Sequence, residues 1–147
     1  MSLEENKAII RGLYEAFNKR NLSFGYESIA PNYFNHTLQL RGLEDFKQFI
    51  TMLIKSFPDF HMAIEDIIAE KDKVWVRVKV TGTHKGEYRG LAPTNKKFTE
   101  AAVYISRIVD GKIVEEWYVT DALDFYKKLG VVEYTEKGKK LFPESAT

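Results

Sequence analysis

A chain of 147 residues, 44% of them hydrophobic, is long enough to bury a core of its own and too apolar to be disordered. Its 22 Lys+Arg against 21 Asp+Glu leave no charge excess of the kind that draws a protein to nucleic acid or to an anionic membrane. Cysteine is absent, which excludes disulfides, thiolate catalysis and cysteine–zinc sites.

Ser2 and Glu5 have capping-box spacing at a helix start. Ile9, Ile10, Leu13, Tyr14 and Phe17 then recur at helical intervals, so a helix with one apolar face is expected over about residues 3–19. The same stretch puts acids where a secretory leader needs a basic start, and no segment has the apolar length of a bilayer span; the expected location is the cytoplasm. "NLSFGYESIAPNYF" is expected to form a short helix stopped near Pro31. "RGLEDFKQFITMLIKSFP" carries the clearest helical stripe, from Leu43 through Phe46, Phe49, Ile50 and Leu53 to Phe57, and Pro58 ends it.

After Pro58 the hydrophobic period changes from that of a helix to that of a strand. "FHMAIEDIIAE" and "KVWVRVKVTGT" alternate as strands about a tight turn at Lys71-Asp72. "KFTEAAVYISRI" and "KIVEEWYV" form a second pair across "VDGK", where Asp110-Gly111 is a strong hairpin signal. "GEYRGLAPTNKK" lies between the pairs as a short edge segment and loop. "DALDFYKKLG" is a last helical piece ending at Gly130, and the tail from Val131 is polar. Helices first and a long antiparallel sheet afterwards point to an α+β class with helices on one face of a curved sheet. No linker or internal repeat divides the chain, so residues 1–147 are expected to form a single domain with its core over 5–130 and a tail over 131–147.

Alternation along the strands sorts their side chains into two faces. Ala102, Tyr104, Ser106, Glu116, Tyr118 and Thr120 form a smaller, more polar set. That composition suits a cavity between sheet and helices better than a dry core, with Phe17 and Phe49 supplied from the helices. Trp75, Val103, Ile105, Ile113, Trp117 and Val119 form a bulky apolar set on the other face. A second copy of the chain is the economical cover for such a face, so a homodimer is expected.

The three histidines lack metal-ligand spacing and no acid–histidine cluster accompanies them, so no metal is expected. No nucleophile elbow and no phosphate-cradling glycine loop is present. Lys85, Arg89, Lys96 and Lys97 form a small basic rim.

On "YFNHT", "RGLEDFKQFI", "FPDF", "VTGTHKGEYRGLAPTNKKF", "RIVDGKIVEEW" and "DALDFYKKLG", the chain resembles the SnoaL-like polyketide cyclase (ester cyclase) family over about residues 5–130. The resemblance implies the nuclear transport factor 2-like fold, a cone of helices on a strongly curved sheet around an internal pocket. It also implies cofactor-free intramolecular aldol chemistry on a polyketide ester. The family's catalytic aspartate falls on Tyr118, its helping histidine on Tyr104, a second histidine on Glu116 and a pocket asparagine on Asn35. The aspartate that opens the final helix is kept, as Asp121.

Both catalytic positions therefore depart from the family. A phenol has an unperturbed pKa of about 10 and would need roughly 4 kcal/mol of differential stabilisation to act as a base near neutrality. Tyr118 and Tyr104 are accordingly expected to donate hydrogen bonds to a carbonyl or enolate. Glu116, desolvated on the inner face, is the expected acid/base, with Asp121 as a second candidate that also suits a helix cap. Glu100 shares the face of Tyr104. Asn35 and His36 are expected at the pocket, where the chain passes from helix to sheet. The ligand so implied is a small apolar, carbonyl-bearing molecule, with no cofactor. The alternative is a non-catalytic ligand-binding or dimerising module of the same fold.

Overall fold

The structure, a computed structural model, describes residues 2–142. Helix α1 (Leu3–Asn18) starts at Ser2, whose hydroxyl accepts the Glu5 N–H at 3.0 Å, as the capping spacing requires. It buries Ile10, Leu13, Tyr14 and Phe17. A one-turn helix α2 (Leu22–Tyr26) follows, then strands β1 (Ile29–Asn35) and β2 (Leu40–Arg41) and helix α3 (Gly42–Ser56). Strands β3 (His61–Glu70), β4 (Lys73–Thr83), β5 (Lys97–Val109) and β6 (Lys112–Thr120) come next, then helices α4 (Ala122–Lys128) and α5 (Glu136–Leu141).

The strands form one curved six-stranded sheet in the order β2-β1-β6-β5-β4-β3. The long strands pair antiparallel, while β1 runs parallel to β6, so the sheet is mixed. Asp110 and Gly111 take φ of 50° and 78°, the left-handed pair that a two-residue hairpin turn demands. Helices α1 and α3 pack on the concave face, on which Val74, Val76, Val78 and Val80 are all buried.

Two sequence expectations are corrected here. Residues 29–35 are strand, not the end of a helix. Pro31 is accommodated because β1 meets β6 through an irregular stretch between Ile29 and Phe34, where a missing N–H breaks no ladder bond. Ile113 is not on the outer face. Arg107 pairs with Glu115 but Ile108 pairs with Ile113, so Val114 is an extra residue that reverses the alternation. Ile113 thus turns into the core and is 0% exposed. The rest of the bulky set does lie outward: Trp75 is 46% and Val119 61% exposed, while Val103, Ile105 and Trp117 are half-buried.

Candidate functional site

The site is built by register. Across β4, β5 and β6, Val76 pairs with Tyr104 and Tyr104 with Tyr118; Val74 pairs with Ser106 and Ser106 with Glu116; Val78 pairs with Ala102 and Ala102 with Thr120. Glu100 is next along the same face, opposite Val80. Because β1 runs parallel to β6, Asn35 lies beside Glu116. Helix α3 closes the space above. Its Phe49, Ile50, Leu53 and Ile54 are only half-buried although apolar, because they face a hollow instead of packed side chains.

That hollow has a narrow end and a wide end. The narrow end is a cavity of about 50 Å³ with Tyr14, Phe17, Tyr33, Asn35 and Glu116 on its walls. The wide end is a cavity of about 380 Å³ with Phe57, Phe98, Glu100, Tyr118, Thr120 and Phe125 on its walls and Arg89 at its rim. Phe49, Leu53, Phe60 and Tyr104 border both, so the two are adjoining parts of one interior.

At the narrow end Glu116 is 6% exposed. Its Oε1 accepts the Tyr33 hydroxyl at 2.8 Å and the Asn35 amide at 3.3 Å, and its Oε2 accepts the Ser106 hydroxyl at 3.1 Å. Loss of water raises the Glu116 carboxyl above the usual carboxylate range, against the downward pull of those three donors. Asn35 also ties the chain: its Oδ1 accepts the Thr37 and Leu38 N–H groups at 3.0 and 2.8 Å, an Asx-type turn out of β1. The Tyr14 hydroxyl is buried here and has no partner among the described residues.

At the wide end Glu100 is 8% exposed. Its Oε1 accepts both the Tyr118 hydroxyl and the Thr120 hydroxyl, each at 2.6 Å. Burial, reinforced by the hydrogen bond to Glu100, pushes the Tyr118 phenol well above its ordinary value. Burial does the same to Tyr104, with Tyr118 and the nearby acids adding to it. Both phenols therefore stay protonated near neutrality, and Tyr118 donates to Glu100. Their rings lie 4.7 Å apart.

The wall beyond Tyr88 is fixed by contacts between "GTHKG" and "FPDF". Thr83 of "GTHKG" donates from its N–H and its hydroxyl to Asp59 of "FPDF", both at 2.7 Å. Lys85 and Gly86 donate their N–H groups to the Ser56 carbonyl at 3.0 Å, which satisfies an end carbonyl of α3. A Cβ on Gly86 would run into the Lys55 carbonyl. His84 is fully buried, with Nδ1 accepting the Thr94 N–H at 3.3 Å. It is a loop anchor and not a pocket group.

The structure brings together most but not all of the residues expected at the site. Phe17, Phe49, Asn35, Tyr104, Glu116, Tyr118 and Thr120 border the cavity. Ala102 and Ser106 lie on the same face but are buried in the wall and do not reach the free space. His36 is on the opposite face: its ring stacks on Trp117 at 4.7 Å and 2°, because it follows Asn35 by one residue and the face alternates. Asp121 is exposed and caps α4, accepting the Asp124 N–H at 3.0 Å, so it is not brought to the cavity. Tyr33 is not among the residues expected at the site, and Glu100 is expected only to share the face of Tyr104. Tyr33 is two residues before Asn35 on one strand, a signal hidden while that stretch is taken as helix. Among the described residues no cluster of three or more His, Cys, Asp or Glu could hold a metal, and no helix is long and apolar enough to cross a membrane.

Comparison with known proteins agrees with this geometry. The SnoaL-like polyketide cyclase family matches residues 7–129. The aklanonic acid methyl ester cyclase DauD of Streptomyces sp. (strain C5) is 32% identical in an alignment of length 142 that covers 92% of this chain and 88% of DauD. The nogalonic acid methyl ester cyclase of Streptomyces nogalater is 29% identical in an alignment of length 107 that covers 69% of this chain and 79% of that protein. Among solved structures, AclR from Streptomyces galilaeus, a candidate hydroxylase, superposes with a TM-score of 0.81 at 31% identity, covering 92% of this chain and 91% of its own. A helix-roofed mixed sheet around an aromatic cavity, together with a family match over most of the chain, gives one conclusion: the chain belongs to the SnoaL-like polyketide cyclase family.

Proposed function

We propose that this protein takes a small apolar, carbonyl-bearing molecule into the wide end of its cavity and performs cofactor-free proton transfer on it. The reaction class is the intramolecular aldol closure of an ester-bearing polyketide. The observation that carries the reading is the cavity itself: aromatic and aliphatic walls, a carboxylate at each end, and phenol hydroxyls held protonated beside them.

Each part has a physical role in such a reaction. A carboxylate can take a proton from carbon next to a carbonyl, and correctly placed proton transfer contributes about 10²- to 10⁴-fold in rate. The charge that develops on the carbonyl oxygen needs a donor, a role we assign to Tyr104, which borders both ends of the cavity. Walls such as Phe57, Phe98 and Phe125 exclude water and hold the substrate folded, with its reacting ends together.

The resemblance puts the family's aspartate at position 118, and the Tyr118 found there favours a second reading, a binding module without the chemistry. Incubation with a panel of polyketide esters, headed by aklanonic acid methyl ester, separates the two. Aldol closure yields an isomer, so the product keeps the mass of the substrate and changes its chromatographic retention and its NMR spectrum. A new isomer formed above the buffer rate supports the cyclase reading. Tight binding with every ester recovered unchanged supports the binding module.

A further inference from the structure

The two carboxylates of the cavity are not equivalent. Both oxygens of Glu116 are occupied, by Tyr33 and Asn35 on Oε1 and by Ser106 on Oε2. The space beside it, about 50 Å³, has room for a water or two and not for a substrate. Glu100 differs on both counts. Its two donors, Tyr118 and Thr120, share Oε1, and among the described residues no hydrogen bond is made to Oε2. It borders about 380 Å³ of free space, on the scale of a small-molecule site.

The register shows how the acid comes to be there. The Tyr118 side chain reaches along the sheet face to Glu100 of β5, and Thr120 meets the same oxygen from one pair further on. Two hydroxyls on one oxygen restrain the carboxylate and leave the other oxygen for a reacting group. Tyr104, adjacent to Tyr118, borders the same space.

We propose that Glu100 is the catalytic base of this protein, a carboxylate of β5 held through one oxygen by the Tyr118 and Thr120 hydroxyls. This rests on the proton-transfer reading above. In the step proposed, Glu100 Oε2 takes a proton from the carbon next to a carbonyl. The C–H electron pair moves into the enolate, whose oxygen accepts a hydrogen bond from Tyr104. The enolate carbon then attacks a second carbonyl of the same molecule, forming the new C–C bond. The oxygen of that carbonyl recovers the proton from Glu100. Nothing is oxidised or reduced, and the product is an isomer of the substrate.

The test reads proton abstraction without requiring ring closure. Methyl 2-naphthyl ketone is incubated in D2O with wild type, Glu100→Gln and Glu116→Gln, and exchange of its methyl protons is followed by NMR. Wild type is expected to accelerate exchange and Glu100→Gln to lose at least a hundredfold of that acceleration. Each variant's thermal unfolding is recorded alongside. If Glu100→Gln is poorly folded, Glu100→Ala with added formate decides, because a small carboxylate in the vacated space restores exchange in proportion to its concentration only if position 100 held the base.

Exchange retained within a few-fold in Glu100→Gln overturns the proposal, as does exchange lost only in Glu116→Gln, which moves the base to the narrow end and leaves the cyclase reading standing. A wild type that exchanges protons but closes no ester ring sinks the cyclase reading and leaves Glu100 as the base. A wild type that does neither sinks both.

Discussion

The two ends of the cavity hold the same functional group in opposite circumstances. Glu116 is enclosed, accepts three hydrogen bonds and faces almost no free space. Glu100 is nearly as buried, accepts both of its bonds on one oxygen and faces the larger volume. A buried charge whose acceptor sites are filled by the protein holds strands together. A buried carboxyl with one oxygen unbonded among the described residues and room in front of it has a place to meet a ligand. Burial alone therefore does not mark a catalytic acid, although it is what the sequence pattern at Glu116 suggests.

The sharpest break of this contrast is in activity. Glu100→Gln is expected to lose at least a hundredfold in turnover while the protein stays folded, checked by rate and by thermal melt. Glu116→Ala is expected to act mainly on stability. It strands the Tyr33 hydroxyl, the Asn35 amide and the Ser106 hydroxyl in the core, at a cost of about 3 kcal/mol in a denaturant titration.

The pH dependence of stability sharpens the same difference. The carboxyl of Glu116 is raised in the folded protein, so between the ordinary carboxylate pKa and its folded value the folded state holds more protons than the unfolded one. Its contribution is then fully present below the unfolded value and is lost as pH rises through the folded value. Urea midpoints of wild type minus those of Glu116→Gln should fall across that window as pH increases. A flat difference would contradict the burial of the charge.

Smaller effects fall outside the cavity floor. Gly86→Ala forces a Cβ against the Lys55 carbonyl and should cost about 2 kcal/mol by thermal unfolding, loosening the wall that carries Tyr88 and Arg89. Asp121→Ala removes only the cap of α4, an effect of about 1 kcal/mol with turnover preserved. Turnover lost in that variant would return Asp121 to the site.

Much of this architecture is legible in the residues themselves. Alternation places Val74 to Val80 and Tyr104, Glu116 and Tyr118 on the inner face, and Asp110-Gly111 fixes the hairpin that aligns β5 with β6. The stripe of α3 gives a helix, and the polar inner set gives the hollow beneath it. What escapes is whatever depends on a break in the period. The extra residue at Val114 sends Ile113 inward. The extension of β1 to Asn35 sends His36 outward, against Trp117. Glu100 is visible as an inward residue, but its weight comes from Tyr118 and Thr120 converging on one oxygen, a fact of side-chain reach across strands that no spacing along a single chain expresses.

The most direct measurement is a carbon-detected NMR titration of protein labelled at the glutamate side-chain carboxyls, with a bound polycyclic β-keto ester as ligand and signals assigned by Glu100→Gln and Glu116→Gln. The expected result is a ligand-dependent shift of the Glu100 carboxyl with the Glu116 carboxyl unmoved. A shift of Glu116 with Glu100 unmoved contradicts the division of roles between the two ends of the cavity.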